Sequence, residues 1–164
     1  MPVAWDTTLV SRLLLPGSDA LAYLQSRART ADRPVIPAVA VAEVAFGLER
    51  AARADPGFRR LLRWFGLLLE WPEISVVPFT RPAAFAAGRL RARSPFPPRR
   101  RPSDRRTKPE RRVSWAMDME IAATARAVGV PVATENVADF ECLTELLAEL
   151  FPRAAPLEVR PAPV

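Results

Sequence analysis

The chain has 164 residues, 24 of them Lys or Arg and 18 Asp or Glu, with one Cys, no His and a net charge of +6. Its length and 49% apolar share suit one globular domain with a sizeable core. The missing His excludes Ser-His-Asp and Cys-His pairs and His-ligated zinc, the lone Cys142 excludes an intrachain disulfide or thiolate cluster, and the single Lys, Lys108, leaves no Gly-Lys-Ser/Thr phosphate loop.

In chain order, Pro2 to Trp5 is a short apolar run ending at Asp6 and reads as a strand. Leu9, Val10, Leu13 and Leu14 then repeat at helical spacing until Pro16-Gly17 breaks the pattern. Ser18 is placed to cap a helix reaching about Arg29, and Val35-Ile36 makes a second strand. Val39 to Ala54 is helical, and Asp55-Pro56-Gly57 is a turn. Phe58 to Trp71 is strongly amphipathic, so Trp64, Phe65 and Trp71 serve either a partner surface or ordinary core packing. Ile74 to Val77 reads as a strand, and Thr80 as the cap of an Ala-rich helix to about Arg93. Ser114 stands where it would cap a helix through Ala127, ended by Gly129. Pro131 to Thr134 is a further strand, Glu141 to Leu150 a short helix, and Leu157 to Arg160 an edge strand.

Strands alternating with helices imply an α/β fold: a central parallel sheet of four or five strands with helices on both faces. Ligands in such sheets bind at the carboxyl ends of the strands. No internal repeat divides the chain, so residues 1–160 read as one domain and 161–164 as a flexible tail. The N-terminus lacks the basic and apolar regions of a signal peptide, and the apolar stretch Leu61 to Trp71 is too short to span a bilayer. The expectation is a soluble, cytoplasmic protein without membrane contact.

The charge is uneven. Between Arg89 and Arg112 lie eleven basic and two acidic residues, against 13 basic and 16 acidic in the remainder. Residues 94–112 also hold five prolines, which suggests an extended loop there. Such an arm either grips a polyanion such as RNA, through Arg99, Arg100, Arg101, Arg105, Arg106, Lys108, Arg111 and Arg112, or is a solvated insertion.

With His, Cys and Lys chemistry excluded, catalysis would fall to carboxylates, hydroxyls and arginines, with a bound metal. Asp6 ends the first strand, and Asn136 and Asp139 follow the strand that ends at Thr134. Glu43 interrupts an otherwise apolar surface, where burial is costly unless it is paired or metal-bound. Gly47, at i+4 on its face, would admit a close approach. Asp118 shares a helix face with Ala122 and Ala125, whereas Glu120 is rotated away toward solvent. Each acid alone has a plain structural role: helix-dipole stabilisation for Asp118, capping for Asp139, partial exposure for Glu43.

Taken together, four segments resemble the PIN-domain nucleases, in particular the VapC-type ribonuclease toxins. They are Val3-Ala4-Trp5-Asp6, the Glu43-x-x-x-Gly47 helix, the Asp118-x-x-Ile121-Ala122-Ala123-x-Ala125 helix and the Thr134-x-Asn136-x-x-Asp139-Phe140 turn. The resemblance implies a PIN-like three-layer fold. It also implies that Asp6, Glu43, Asp118 and Asp139 form an acidic cluster holding Mg²⁺ or Mn²⁺, supported by Thr134 and Asn136. The implied activity is endonucleolytic cleavage of single-stranded RNA by a toxin with a VapB-like antitoxin, acting as a homodimer. Typical members have a shorter connection where residues 94–112 stand.

Other classes fit less well. An aspartate-nucleophile phosphohydrolase needs a second Asp where Thr8 stands, and it and a receiver domain both want a conserved Lys. A non-catalytic RNA- or partner-binding module, or an RNA-processing nuclease without an antitoxin, are the alternatives within the same fold.

Overall fold

The structure, a computed structural model, describes residues 1–98 and 105–163. Five strands form one wholly parallel sheet in the order β3-β2-β1-β4-β5. They are β1 (Val3–Trp5), β2 (Pro34–Pro37), β3 (Val76–Val77), β4 (Val132–Thr134) and β5 (Val159–Pro161). Seven helices among the described residues complete the three-layer α/β arrangement: α1 (Thr7–Arg12), α2 (Asp19–Arg27), α3 (Ala38–Ala54), α4 (Phe58–Leu69), α5 (Arg81–Arg93), α6 (Lys108–Val128) and α7 (Val137–Leu150).

The central strands β1, β2 and β4 are buried along their whole lengths, which is why they read as unbroken apolar runs rather than alternating ones. Trp5 and Ile36 of the sheet pack with Leu9, Leu13, Phe65, Leu68, Met119, Ile121, Phe140 and Leu143, all essentially inaccessible. Ala122 and Ala125 are fully buried, so the Ala-rich face of α6 lets that helix sit close to its neighbours. On α4, Phe65 and Leu68 are core, and Trp64 donates its indole N–H to the Leu13 carbonyl at 3.1 Å while packing edge-on against Trp71. Those aromatics are chiefly internal packing.

The caps expected at Ser18 and Thr80 form: their hydroxyls accept from the Leu21 and Ala83 amides. Gly129 ends α6 with φ +71°, a conformation that disfavours side chains with a Cβ. The start of α6 differs from the sequence expectation. The helix begins at Lys108, so the extended loop expected over residues 94–112 does not run to Arg112. Thr107 and Glu110 form a reciprocal capping box, and Pro109 falls in the first turn, where its missing N–H costs no intrahelical bond. Ser114 is therefore a helix-interior residue, and Asp118 lies mid-helix, beyond reach of the N-terminal dipole invoked for it.

Two smaller differences concern the C-terminal part. Helix α7 begins at Val137, which takes Asp139 out of the preceding turn and into the first helical turn. Strand β5 continues through Pro161, and the Ala162 amide donates to the Thr134 carbonyl at 3.0 Å, where a tail is expected from residue 161. No helix among the described residues is long and apolar enough to cross a membrane.

Candidate active site

The carboxyl ends of β1 and β4 lie side by side, because Trp5 pairs with Ala133 in the parallel register. Asp6 and Thr134 follow from that pairing. Asp6 is 3% exposed, and its two carboxylate oxygens are divided between two structural duties. Oδ1 accepts from the Leu9 amide at 3.0 Å and so caps α1, while Oδ2 accepts from the Thr134 hydroxyl at 2.6 Å. The Thr134 oxygen in turn accepts from the Asn136 amide at 2.8 Å, fixing the turn into α7.

Glu43 arrives from the second turn of α3, where the Thr7 hydroxyl donates to its Oε2 at 2.5 Å. Asp118 arrives from α6, partly buried, and accepts no hydrogen bond among the described residues. Together with Asp6 these acids line one cavity of about 440 Å³. Its wall also carries the hydroxyls of Thr7, Thr8, Ser11 and Ser114, the Asn136 amide, Glu135 and Arg106. Asp139 is not part of that wall; its Oδ2 accepts from the Asn136 side-chain amide at 2.5 Å, so Asn136 faces the cavity. Among the described residues no three acids stand close enough to form a preformed metal cage.

Electrostatics single out Asp118. Burial, followed by the negative charges of Glu43, Asp6 and Asp139, pushes its carboxyl well above the ordinary value, and the nearby Arg106 works in the opposite direction. Asp6 is raised as well: burial outweighs its hydrogen bonds from Thr134, Leu9 and Thr8 and the charge of Arg12. Hard, exclusively oxygen donors around a carboxylate without a hydrogen-bond donor match what Mg²⁺ and Mn²⁺ take, and Mg²⁺ is commonly held by one or two carboxylates plus water and phosphate oxygens rather than by a complete protein cage. The donor set therefore fits such an ion.

Several wall residues carry no sequence signal of their own. Glu135 adds a fourth acid to the wall and is paired with Arg12 of α1. Thr7 and Ser114 enter only because α1 and α6 bring them there. Gly47 has open space where a Cβ would stand, so among the described residues no backbone makes the close approach that its lack of a side chain would admit. Glu120 lies outside the acidic cavity, lining instead a hollow between the end of α5 and α6, and burial raises its carboxyl above the ordinary value.

Of the basic residues expected to grip a polyanion, Arg105, Arg106, Lys108 and Arg112 are exposed. Lys108 and Arg112 stand 5.1 and 5.0 Å from the Phe96 ring. Arg106 reaches the acidic cavity, and the buried Arg111 Nε has no hydrogen-bond partner among the described residues. Arg99, Arg100 and Arg101 lie outside the described residues.

The family model for the PIN domain matches residues 3–141. Among solved structures, the chain is similar to one from a DNA-bound VapBC of Salmonella typhimurium (TM-score 0.62, 17% identity, 98% of each chain covered). It is also similar to chains from VapBC2 of Rickettsia felis bound to a promoter DNA fragment (0.60, 16%, 98% of each) and from VapBC-5 of Mycobacterium tuberculosis (0.54, 21%, 99% of this chain and 98% of that one). At such identities the likeness establishes the fold. No curated protein matches the chain in sequence.

Proposed function

The chain belongs to the PIN domain family, and on that premise we propose that it is a divalent-cation-dependent endoribonuclease, the toxin of a toxin–antitoxin pair. The observation that carries this reading is the convergence of Asp6, Glu43 and Asp118, from β1, α3 and α6, on one hydroxyl-lined cavity at the carboxyl ends of the strands. Chemistry without His, a reactive Cys or a phosphate-loop Lys leaves a metal-activated water as the source of a nucleophile at neutral pH.

In this reading Asp118 and Asp6 hold Mg²⁺ or Mn²⁺, which when bound acidifies a water and offsets charge on the phosphate oxygens. Glu43, held by Thr7, orients the attacking water. Asp139 positions Asn136 at the cavity wall, and Thr134 keeps the Asp6 carboxylate from rotating. Single-stranded RNA is cut internally to leave 5′-phosphate ends. The VapBC complexes among the structural neighbours support a VapB-like antitoxin as partner, and a homodimer is the expected assembly.

The test is cleavage of mixed single-stranded RNA and DNA by the wild type and Asp118→Asn, in Mn²⁺, Mg²⁺ and chelator, with end mapping. Expected is metal-dependent cutting of RNA with 5′-phosphate products, and a loss of at least 100-fold (roughly the scale of a metal or electrostatic contribution) in the variant. Full activity in chelator, or full activity of the variant, contradicts the reading.

A further inference from the structure

One basic residue that precedes α6, Arg106, lines the acidic cavity. Arg106, exposed like its neighbours, is the residue immediately before the α6 N-cap, and its guanidinium turns back along the helix. Its guanidinium donates to the Ser114 hydroxyl at 2.9 Å, two turns into α6. Ser114 lies one turn before Asp118, on the same helix face. Both Arg106 and Ser114 line the cavity that contains Asp6, Glu43 and Asp118, and Arg106 is near enough to Asp118 to oppose the rise of its carboxyl. The position is reinforced from behind: the capping box fixes Thr107, the next residue, through Glu110.

We propose that Arg106 is a substrate-binding residue that the start of α6 holds at the active site, where it grips a phosphate of the RNA backbone against the carboxylates. The inference rests on the nuclease reading above. A guanidinium presents planar, paired donors to phosphate oxygens, always charged, and binds them more directionally than an ammonium. A cavity walled by carboxylates repels a polyanion, so a fixed cation on its rim is what lets a phosphodiester enter.

The same geometry has a second consequence that does not depend on catalysis. A positive charge beside the carboxylates competes with a divalent ion for them. Removing it lowers the Mn²⁺ concentration needed to stabilise the fold, while removing the grip on phosphate lowers cleavage. The two readouts move in opposite directions only when Arg106 sits on the rim and serves the substrate.

The experiment compares wild type, Arg106→Ala, Arg106→Lys and Ser114→Ala for the midpoint of Mn²⁺-induced thermal stabilisation and for kcat/KM on a single-stranded RNA oligonucleotide. Expected for Arg106→Ala is a Mn²⁺ midpoint several-fold lower and a kcat/KM lower by about 10- to 100-fold, the range expected when a charge-assisted hydrogen bond is removed. Arg106→Lys recovers part of the activity, and Ser114→Ala, which loosens the guanidinium without removing it, shows a smaller loss. Unchanged or increased cleavage by Arg106→Ala overturns the proposal; an increase with tighter Mn²⁺ binding identifies a plug instead of a grip. A loss of melting temperature in all variants without a midpoint change also overturns it, identifying a structural residue. Should the wild type cut no RNA, the nuclease reading fails first, and the Mn²⁺ midpoints still report whether Arg106 faces the carboxylates.

Discussion

At the scale of single residues, Asp6 and Asp118 divide the work of an acidic site between order and strain. Asp6 is fully engaged: each oxygen accepts a hydrogen bond, one closing α1 and one joining β4. Removing the Thr134 hydroxyl, as in Thr134→Val, strips a buried carboxylate oxygen and the Asn136 amide of their partner. The expected cost is about 1–3 kcal/mol in urea unfolding. Asp118 accepts no hydrogen bond among the described residues and faces three other negative charges, so its ionisation works against folding. Because its carboxyl is raised in the native state, stability is greatest below the ordinary carboxylate range and declines as pH rises through the native value. Asp118→Asn is therefore expected to melt higher than the wild type in chelator at neutral pH, the gap closing as pH falls toward 4. Melts across pH 4–8 check this; a variant less stable than the wild type at pH 7 contradicts it. Each kcal/mol gained moves the midpoint by about 2–4 °C at this chain length.

At the scale of elements, the sequence is most legible where local chemistry decides. Ser18, Thr80 and Gly129 announce helix ends through hydroxyl caps and a left-handed φ, and those ends stand where expected. The unbroken apolar strands likewise announce a parallel sheet. Legibility fails at α6, because five prolines and a run of arginines hide the Thr107–Glu110 capping box that starts the helix. It fails again at α7, where an earlier start puts Asp139 in the first helical turn, accepting from the Asn136 side-chain amide, with Asn136 on the cavity wall. Glu135 and Arg106 join the site through register and helix placement, which no local pattern encodes. Thr107→Ala should cost about 0.5–2 kcal/mol, read by denaturant unfolding. Since the same cap fixes the residue after Arg106, it should also lower RNA cleavage. An unchanged unfolding midpoint would show that the cap is dispensable.

At the scale of the whole molecule, the basic residues gathered between Arg89 and Arg112 offset a remainder that is net acidic. A polyanion approaching this surface meets Arg105, Lys108 and Arg112 in the open, with Phe96 beneath two of them. Replacing these three by Ser is expected to weaken single-stranded RNA binding uniformly across sequences. It should also flatten the plot of log affinity against log salt by about 0.7 for each phosphate no longer neutralised. An unaltered slope would make the segment a solvated insertion. On the proposed reading, a parallel sheet collects carboxylates at its edge and the basic residues near α6 offset their repulsion of an RNA substrate.

The most direct test of that arrangement is Mn²⁺ titration of the melting temperature for the wild type and Asp118→Asn, side by side. Expected is a rise in the wild type that grows with Mn²⁺, as for any ligand of the native state, and little or none in the variant. Equal rises in both proteins, or no rise in the wild type, would contradict a divalent-ion site built on Asp118.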